Sequence, residues 1–307
     1  GLELWWRPLF PFDATMHWAT KARVWFDRGL LAPFVDNSEW LQSFTDGVFT
    51  DHHPAYPRTI SLLQLWMVSA VDRWDESLMN LPWLLCYGAL GLLFFAQLRA
   101  AGLPLLSALV FTYLLLSMPL LNTHVALAGY ADLFMGACYG AALMAFCNWT
   151  VSGQRWQVLL AMGFACGCTL IKNEGLYWLL TLLPGLVVLL LPARRALQLF
   201  AGGMSALLFL LVLLPPDFSF AGHSKDFLNL SFRSGAPQGI ATSILVQDNW
   251  HLLAYMLIGL LVAAALWGRP LLLRYLPLLA VLSSALILFL TLFTFTRYGY
   301  GAIRYTS

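Results

Sequence analysis

The sequence contains few charged residues. Asp, Glu, Lys and Arg make up 10% of the 307 residues, whereas about a quarter is usual in soluble domains. Hydrophobic residues make up 60%, and the mean hydropathy is +0.73. This scarcity of charge excludes an ordinary soluble domain and predicts an integral membrane protein. The formal net charge of +2 implies nothing about nucleic acid, and we expect no nucleic-acid partner.

The sequence also lacks a disulfide framework and a clear metal motif. All five cysteines fall in apolar segments, where they behave as small apolar residues. Cys166-Gly-Cys168 lacks the spacing and the partner ligands of a zinc or redox site. His52 and His53 are adjacent, and adjacent side chains rarely face one ion. We therefore expect no metal and no cofactor.

No initiating methionine or signal peptide opens the sequence. Residue 1 is Gly, followed closely by Glu3, Trp5, Trp6 and Arg7. This start is typical of a loop. We therefore interpret the chain as a fragment that starts inside a loop.

Long apolar runs dominate the rest of the chain. Crossing an apolar layer of about 30 Å takes about 20 helical residues. Runs of this kind predict an all-α fold, a polytopic transmembrane bundle over residues 78–307, preceded by a large extracytoplasmic loop over residues 1–77. The eight expected spans are 78–98, 103–121, 130–151, 155–171, 174–192, 196–215, 249–267 and 271–295.

Two segments before the first span predict helices that lie along the membrane. Ala14–Arg28 has an apolar stripe that includes Trp18 and Trp25, and ionisable residues follow another stripe. We expect the tryptophan face to anchor in lipid and Gly29 to end the helix. Thr59–Val71 is apolar but too short to cross the membrane.

The turns between the spans predict an orientation. Alternate short turns contain arginine and no carboxylate, at Arg99, Arg155, Arg194 with Arg195, and Arg269 with Arg274. The positive-inside rule places these turns in the cytoplasm. All Asp and Glu residues then fall on the opposite side, so we expect any chemistry to be extracytoplasmic.

Polar residues at the outer ends of the spans form the candidate site. A cavity with both signs of charge suits an anionic substrate, because cations hold a phosphate and a carboxylate accepts a proton. The candidate catalytic residue is Asp13. The candidate substrate-binding residues are His17, Lys21, His52, His53, Tyr56, Tyr130, Asp132, Lys172, Glu174 and Arg297.

Each of these residues also has a simpler interpretation. Asp13 and Asp132 precede or begin helices and are typical N-caps. Lys172 and Glu174 lie in a turn, where charge is commonly just solvated. Arg297 is typical of an interfacial anchor. The shared side of the membrane is the feature that favours a site.

Four short segments carry a resemblance to a known family. They are Phe12-Asp13-Ala14 with Trp18 and Lys21-Ala22, His53-Pro54-Ala55-Tyr56-Pro57, Gly129-Tyr130-Ala131-Asp132 and Lys172-Asn173-Glu174-Gly175. In this order they resemble bacterial membrane glycosyltransferases of the GT-C superfamily. That superfamily includes protein O-mannosyltransferases and lipid A aminoarabinose transferases.

The resemblance implies a transferase in the bacterial inner membrane with an extracytoplasmic active site. It also implies that the chain is a fragment that lacks the first transmembrane helix and a C-terminal part. Its donor would be a polyprenyl-phosphate sugar, and its acceptor a hydroxyl group of a lipid, glycan or protein. By position, Asp13 matches the acidic general base, Lys172 and Arg297 match phosphate-binding residues, and His53 has a supporting role. Asp132 matches a second acidic residue. A double acidic motif is not present at Asp13, so a metal-dependent version is not expected.

Two other functions are compatible with an apolar, polytopic chain. A transporter or flippase for a lipid-linked sugar would place polar or broken-helix positions near the bilayer midplane and often has repeated halves. The mid-span positions are almost all apolar, and no repeat stands out. A non-catalytic assembly protein is the third possibility.

Overall fold

The structure of the protein is a computed structural model. The structure describes residues 11–42, 45–213, 219–220, 223–224, 234–247 and 252–295, together with Glu3, Trp6, Leu9, Phe232 and Trp250. The described chain is mostly helical. It forms two compact units. Unit 1 comprises Gly1–Met144 and Leu160–Gly175, and unit 2 comprises Ala145–Leu159 and Leu176–Ser307.

The helical elements begin with a π-helix at Ala14–Ala19, which continues directly into α1. Most of the later α-helices are apolar along their whole length. The α-helices are α1 Thr20–Arg28, α2 Asn37–Gln42, α3 Thr59–Ala70, α4 Glu76–Met79, α5 Leu81–Ala100, α6 Leu105–Leu116, α7 Pro119–Ala126, α8 Asp132–Ser152, α9 Arg155–Ile171, α10 Gly175–Leu180, α11 Leu182–Leu190, α12 Ala193–Leu213, α13 Ala236–Leu245, α14 Leu253–Trp267, α15 Arg269–Arg274 and α16 Leu276–Phe295.

The described residues contain two short two-stranded sheets. β1 (Phe34–Val35) pairs in parallel with β2 (Phe49–Thr50), with Phe34 opposite Phe49. β3 (Ser219–Phe220) pairs antiparallel with β4 (His223–Ser224). The first pair lies within residues 30–58, between α1 and α3. It ties the two ends of that segment together before the segment reaches α3.

The membrane-spanning potential is confirmed for part of the predicted set. Three helical segments among the described residues are long and apolar enough to cross a membrane: Glu76–Ala100, Asp132–Ser152 and Leu276–Phe295. Helices α6 and α7 would form a fourth span if counted together, although they meet at a bend of 57°. Each of the eight predicted segments overlaps helix among the residues that the structure describes, but eight crossings are not confirmed.

The helices before the first span are present, and their packing differs from the prediction. Gly29 ends α1 as expected, with a left-handed φ of 65° and an amide that bonds to the carbonyl of Phe26. Trp18 and Trp25 are each only 2% exposed, so the lipid-facing tryptophan stripe was wrong.

The two tryptophans are buried because the π-helix and α1 pack on α3. The Ser61 hydroxyl on α3 donates to the Trp18 carbonyl at 2.8 Å. The Trp25 indole N–H donates to the Ala32 carbonyl at 2.9 Å. A buried indole needs a partner for its N–H. The chain turning back after α1 supplies that partner, so the tryptophans stabilise unit 1 from within.

Candidate functional site

A buried charged cluster in unit 1 is centred on Asp51, just after β2. One carboxylate oxygen is hydrogen-bonded to Nδ1 of His17, and the other lies 2.6 Å from Nζ of Lys21. The residues are 4%, 6% and 2% exposed, respectively. Buried charges are tolerated only when they are paired. Asp51 is therefore the group that allows His17 and Lys21 to lie inside the protein.

The π-helix and α1 bring these two partners onto one face. His17 and Lys21 are four residues apart, which places side chains on the same side of a helix. His17 lies in the π-helical turn, a rare conformation that is frequent at functional sites. Burial alone would raise the pKa of Asp51, but hydrogen bonds from His17 and Lys21 outweigh burial and lower its pKa to about 2. The carboxylate therefore stays ionised at neutral pH.

The same cluster holds the segment that follows Asp51. Lys21 donates from Nζ to the carbonyl of His53 at 3.3 Å. The ring of His53 lies 5.0 Å from the ring of His17 and 5.0 Å from that of Tyr56. Burial and the neighbouring His17 lower the pKa of His53, which favours its neutral imidazole at pH 7. His53 thus links the buried cluster to Tyr56.

Tyr56 connects this segment to the turn after α9. Its ring stacks on Trp18 with a centroid distance of 5.6 Å, and its hydroxyl donates to Oε1 of Glu174 at 2.7 Å. Burial, and then the negative charge of Glu174, raise the pKa of Tyr56. The hydroxyl therefore stays protonated and acts as a donor.

Lys172 lies in the same turn as Glu174. Its Nζ lies 3.0 Å from Oδ1 of Asp132, the first residue of α8. Burial alone would lower the pKa of Lys172, but the charges of Asp132 and Glu174 outweigh it and raise the pKa. The ammonium group is therefore charged at neutral pH. With three N–H donors, it can bind a further anion while it keeps Asp132.

The turn that carries Lys172 and Glu174 is tight at its last residue. A Cβ added at Gly175 would lie 2.0 Å from the carbonyl oxygen of Cys168, closer than real Cβ atoms approach any other heavy atom. Only glycine fits there without a shift of the backbone. Gly175 therefore allows the backbone of this turn to lie directly against the end of α9.

Asp13 lies at the start of the π-helix and is exposed. Its side chain makes no capping hydrogen bond, so the simpler interpretation of Asp13 as an N-cap is wrong. Burial is the main cause of the raised pKa values of Tyr56 and Tyr130, and Asp132 and Asp13 add to it. Asp13 also helps to raise the pKa of Lys172. Its carboxylate therefore lies within electrostatic range of these three side chains.

Gly129 brings the start of the π-helix against the start of α8. Its φ is 105°, and a Cβ added there would lie 2.5 Å from the Cβ of Ala14. Tyr130 follows, and its carbonyl accepts a hydrogen bond from the indole N–H of Trp83 at 2.8 Å. The close approach and this bond set the position of Asp132 relative to Asp13.

The structure thus joins most of the candidate residues through unit 1. Asp13, Tyr56, Tyr130, Asp132, Lys172 and Glu174 form one group, and His53 joins that group to the buried residues His17 and Lys21. His52 is exposed and lies beside Asn37, whose Nδ2 is 3.2 Å from its Nδ1. Arg297 lies outside the described residues. Among the residues that the structure describes, no group of three or more His, Cys, Asp or Glu side chains could hold a metal ion.

Two residues of this region were not among the candidates. Asp51 directly precedes His52 and His53, but only the two histidines were among the candidates. One sequence feature could have identified Asp51: it is a carboxylate in a short polar run that precedes an apolar helix. Trp83 had no signal in sequence, because its partner is a backbone carbonyl 47 residues away.

Comparisons of the chain with protein-family models, curated proteins and solved structures found no match.

Proposed function

We propose that the protein is a membrane glycosyltransferase. It transfers a sugar from a polyprenyl-phosphate donor to an acceptor hydroxyl of a lipid, glycan or protein. The observation that carries the proposal is an exposed carboxylate, Asp13, next to the close approach of Ala14 and Gly129, near the Lys172–Asp132 ion pair at the start of α8. A base and an anion-binding cation in one group are what this reaction needs.

The reaction would proceed by displacement at the anomeric carbon. The acceptor oxygen forms the new bond to that carbon, and the bond from the carbon to the phosphate oxygen breaks. The polyprenyl phosphate leaves with the electron pair, and the acceptor proton passes to the Asp13 carboxylate. Positioning and electrostatic stabilisation lower the barrier, and no cofactor takes part.

The other residues of the group have supporting roles in this proposal. Lys172 keeps one contact to Asp132 and uses its remaining donors on the leaving phosphate. Tyr56 and Glu174 fix one side of the site through their hydrogen bond. His17 and Lys21, assigned to substrate binding from the sequence, are reassigned to holding the His53 segment, because both are buried on Asp51.

The proposal includes a topology. In it, the chain crosses a bacterial inner membrane eight times. The arginine-containing turns lie in the cytoplasm, and the site lies on the extracytoplasmic face. The three to four candidate spans support a membrane protein of this kind. Cysteine labelling at Ser152 and Asp46 would test the sidedness, since the proposal puts them on opposite sides.

A transporter for a lipid-linked sugar is the second candidate, because the bend of 57° between α6 and α7 is typical of a broken span. Two polar side chains at that bend, however, already form hydrogen bonds within the protein. The Asn122 amide donates to the carbonyls of Leu116 and Met118 at 2.8 and 3.0 Å, and the Tyr87 hydroxyl donates to Leu116 at 2.6 Å. The backbone carbonyls at the bend are therefore satisfied by side chains of the protein itself rather than by a substrate, which favours the transferase.

Proteoliposomes distinguish the two functions. The protein is reconstituted with a polyprenyl-phosphate sugar labelled in the sugar, and a membrane extract supplies the acceptors. A transferase moves the label into acceptor material, and a transporter carries the intact donor across the bilayer. If several hexose and pentose donors are neither transferred nor moved, both functions are excluded for those donors.

Two matched variants test the role of Asp13. Asp13→Asn should lower the transfer rate about 100-fold or more, because it removes the general base. Asp27→Asn is the control, because Asp27 is also an exposed carboxylate near the N-terminus and is paired with Arg23. It should keep the wild-type rate. Equal rates in all three proteins would overturn the assignment of Asp13.

A further inference from the structure

A groove lies between α1 and α3, on a part of unit 1 that the proposed site does not use. It has a volume of about 320 Å³ and is lined by Trp25, Phe26, Gly29, Leu30, Leu31, Leu65, Ser69 and Asp72. The lining is apolar except for Ser69 and Asp72. We propose that this groove binds one acyl chain of a membrane phospholipid, with the lipid phosphate held by Arg28.

The surface around the groove is apolar and exposed. Trp66 is 67% exposed and Leu30 is 59% exposed. Leu62, Trp66 and Ser69 are spaced three and four residues apart, so they follow the same face of α3 as the groove. An exposed apolar surface of this kind marks an interaction site. The groove is therefore the concave part of a larger apolar face.

Chain continuity indicates what covers this face. Helix α3 ends at Ala70, and the candidate span Glu76–Ala100 begins shortly after it. The start of a span lies at the membrane interface, so the end of α3 is at the same level. Membrane lipid therefore surrounds the end of α3. A membrane lipid, rather than a soluble partner, is thus the occupant that the chain itself brings to the groove.

Charges of both signs lie at the groove: the carboxylate of Asp72 lines it, and Arg28 is the proposed partner of the lipid phosphate. Arg28 directly precedes Gly29, which lines the groove, and its guanidinium lies 5.6 Å from the ring centre of Phe49. It forms no ion pair within the part of the chain that the structure describes. Arg23 and Arg73, in contrast, are bound to Asp27 and Asp75 at 2.8 Å. Arg28 is therefore a cation that is available to a phosphate.

The test uses a phospholipid with a photoreactive diazirine in the middle of one acyl chain, in nanodiscs that hold the whole protein. After irradiation, the adducts are mapped by mass spectrometry of peptides. The proposal expects adducts on residues 25–31 and 65–72. Adducts spread evenly over all exposed apolar helices would indicate ordinary bulk lipid and would overturn it.

Two neighbouring substitutions separate the groove from the surrounding surface. Ser69→Phe fills the groove and should lower the adduct yield on residues 25–31 about five-fold. Ala70→Phe adds the same side chain at an exposed residue that does not line the groove, and should leave the yield unchanged. Equal yields in the two variants would contradict the proposal.

Native mass spectrometry tests the phosphate contact, and competition and cross-linking test which molecule occupies the groove. Arg28→Gln should lower the amount of phospholipid that stays bound in native mass spectrometry, while Arg73→Gln should not.

Loss of the adducts on addition of polyprenyl phosphate would show that the groove belongs to the isoprenoid donor instead. Cross-links between two copies through residues 65–72 would assign it to a dimer. Either result would overturn the phospholipid proposal, and neither depends on transferase activity.

Discussion

Tyr56 donates a hydrogen bond from its hydroxyl to Oε1 of Glu174 at 2.7 Å, although 118 residues separate the two in sequence. The bond joins the segment after Asp51 to the turn after α9. Both ends are anchored further: Tyr56 stacks on Trp18, and Gly175 fixes the turn against Cys168. This contact is therefore the point at which the N-terminal polar segment and the later turn become one site.

Removal of the Tyr56 hydroxyl should weaken that connection. Tyr56→Phe keeps the ring on Trp18 and deletes a hydrogen bond to a charged group, which is worth about 1.5–3 kcal/mol. We expect a lower midpoint of thermal unfolding in detergent. Tyr113→Phe is the control, because Tyr113 is 70% exposed on α6. Equal midpoints for the two variants would show that the contact does not stabilise the fold.

The helices could be predicted from sequence because each is encoded by its own residues. Apolar runs located all eight predicted segments, and Gly29 located the end of α1. The orientation of the first helix could not be predicted in this way. Trp18 and Trp25 on an apolar stripe suit either lipid or a neighbouring helix, and the neighbour α3 lies about forty residues further on. Periodicity does not distinguish the two.

The sequence predicted which residues belong to the candidate site, but not which of them contact one another. Lys172 and Asp132 were both candidates, but their ion pair depends on how α8 and the turn after α9 meet. Asp51 shows the same limit. Its role depends on the burial of His17 and Lys21, and burial of a charged residue is a tertiary property that local sequence does not reveal.

The buried ion pair of Asp51 should tolerate little change. Asp51→Asn leaves the ammonium of Lys21 buried without a counter-charge, and loss of one member of a buried pair costs about 3–5 kcal/mol. Asp27→Asn provides the matched control, since the Arg23–Asp27 pair is exposed and worth at most about 1 kcal/mol. Unfolding midpoints of both variants should differ clearly. Two small and equal losses would contradict the structural role of Asp51.

The contribution of Asp51 should also depend on pH. Its pKa is about 2 in the folded protein against an ordinary value of 3.8. A lowered pKa stabilises the fold above the unfolded value, and that stability is lost as the pH falls from 3.8 through 2. The shift corresponds to about 2 kcal/mol. The gap in unfolding midpoint between wild type and Asp51→Asn should therefore narrow between pH 5 and pH 2. A constant gap would show that Asp51 does not titrate in this way.

The contact between Gly129 and Ala14 gives the most direct test of how Asp13 is positioned. In Gly129→Ala, the added Cβ would lie 2.5 Å from the Cβ of Ala14, at a φ of 105° that L-residues avoid. Strain of this kind costs about 1–3 kcal/mol, and relief of the clash would move the start of the π-helix. We expect a lower unfolding midpoint and, in the proteoliposome assay, slower sugar transfer.

Gly102→Ala separates the clash from the backbone strain. Gly102 also has a positive φ, 87°, but a Cβ there would meet no atom within 4 Å. This variant should lose stability through its backbone alone, and its transfer rate should equal that of wild type. Because the two substitutions share the same strain, the difference between them measures the contact with Ala14. If both slow transfer equally, or neither does, Gly129 does not position Asp13 through that contact.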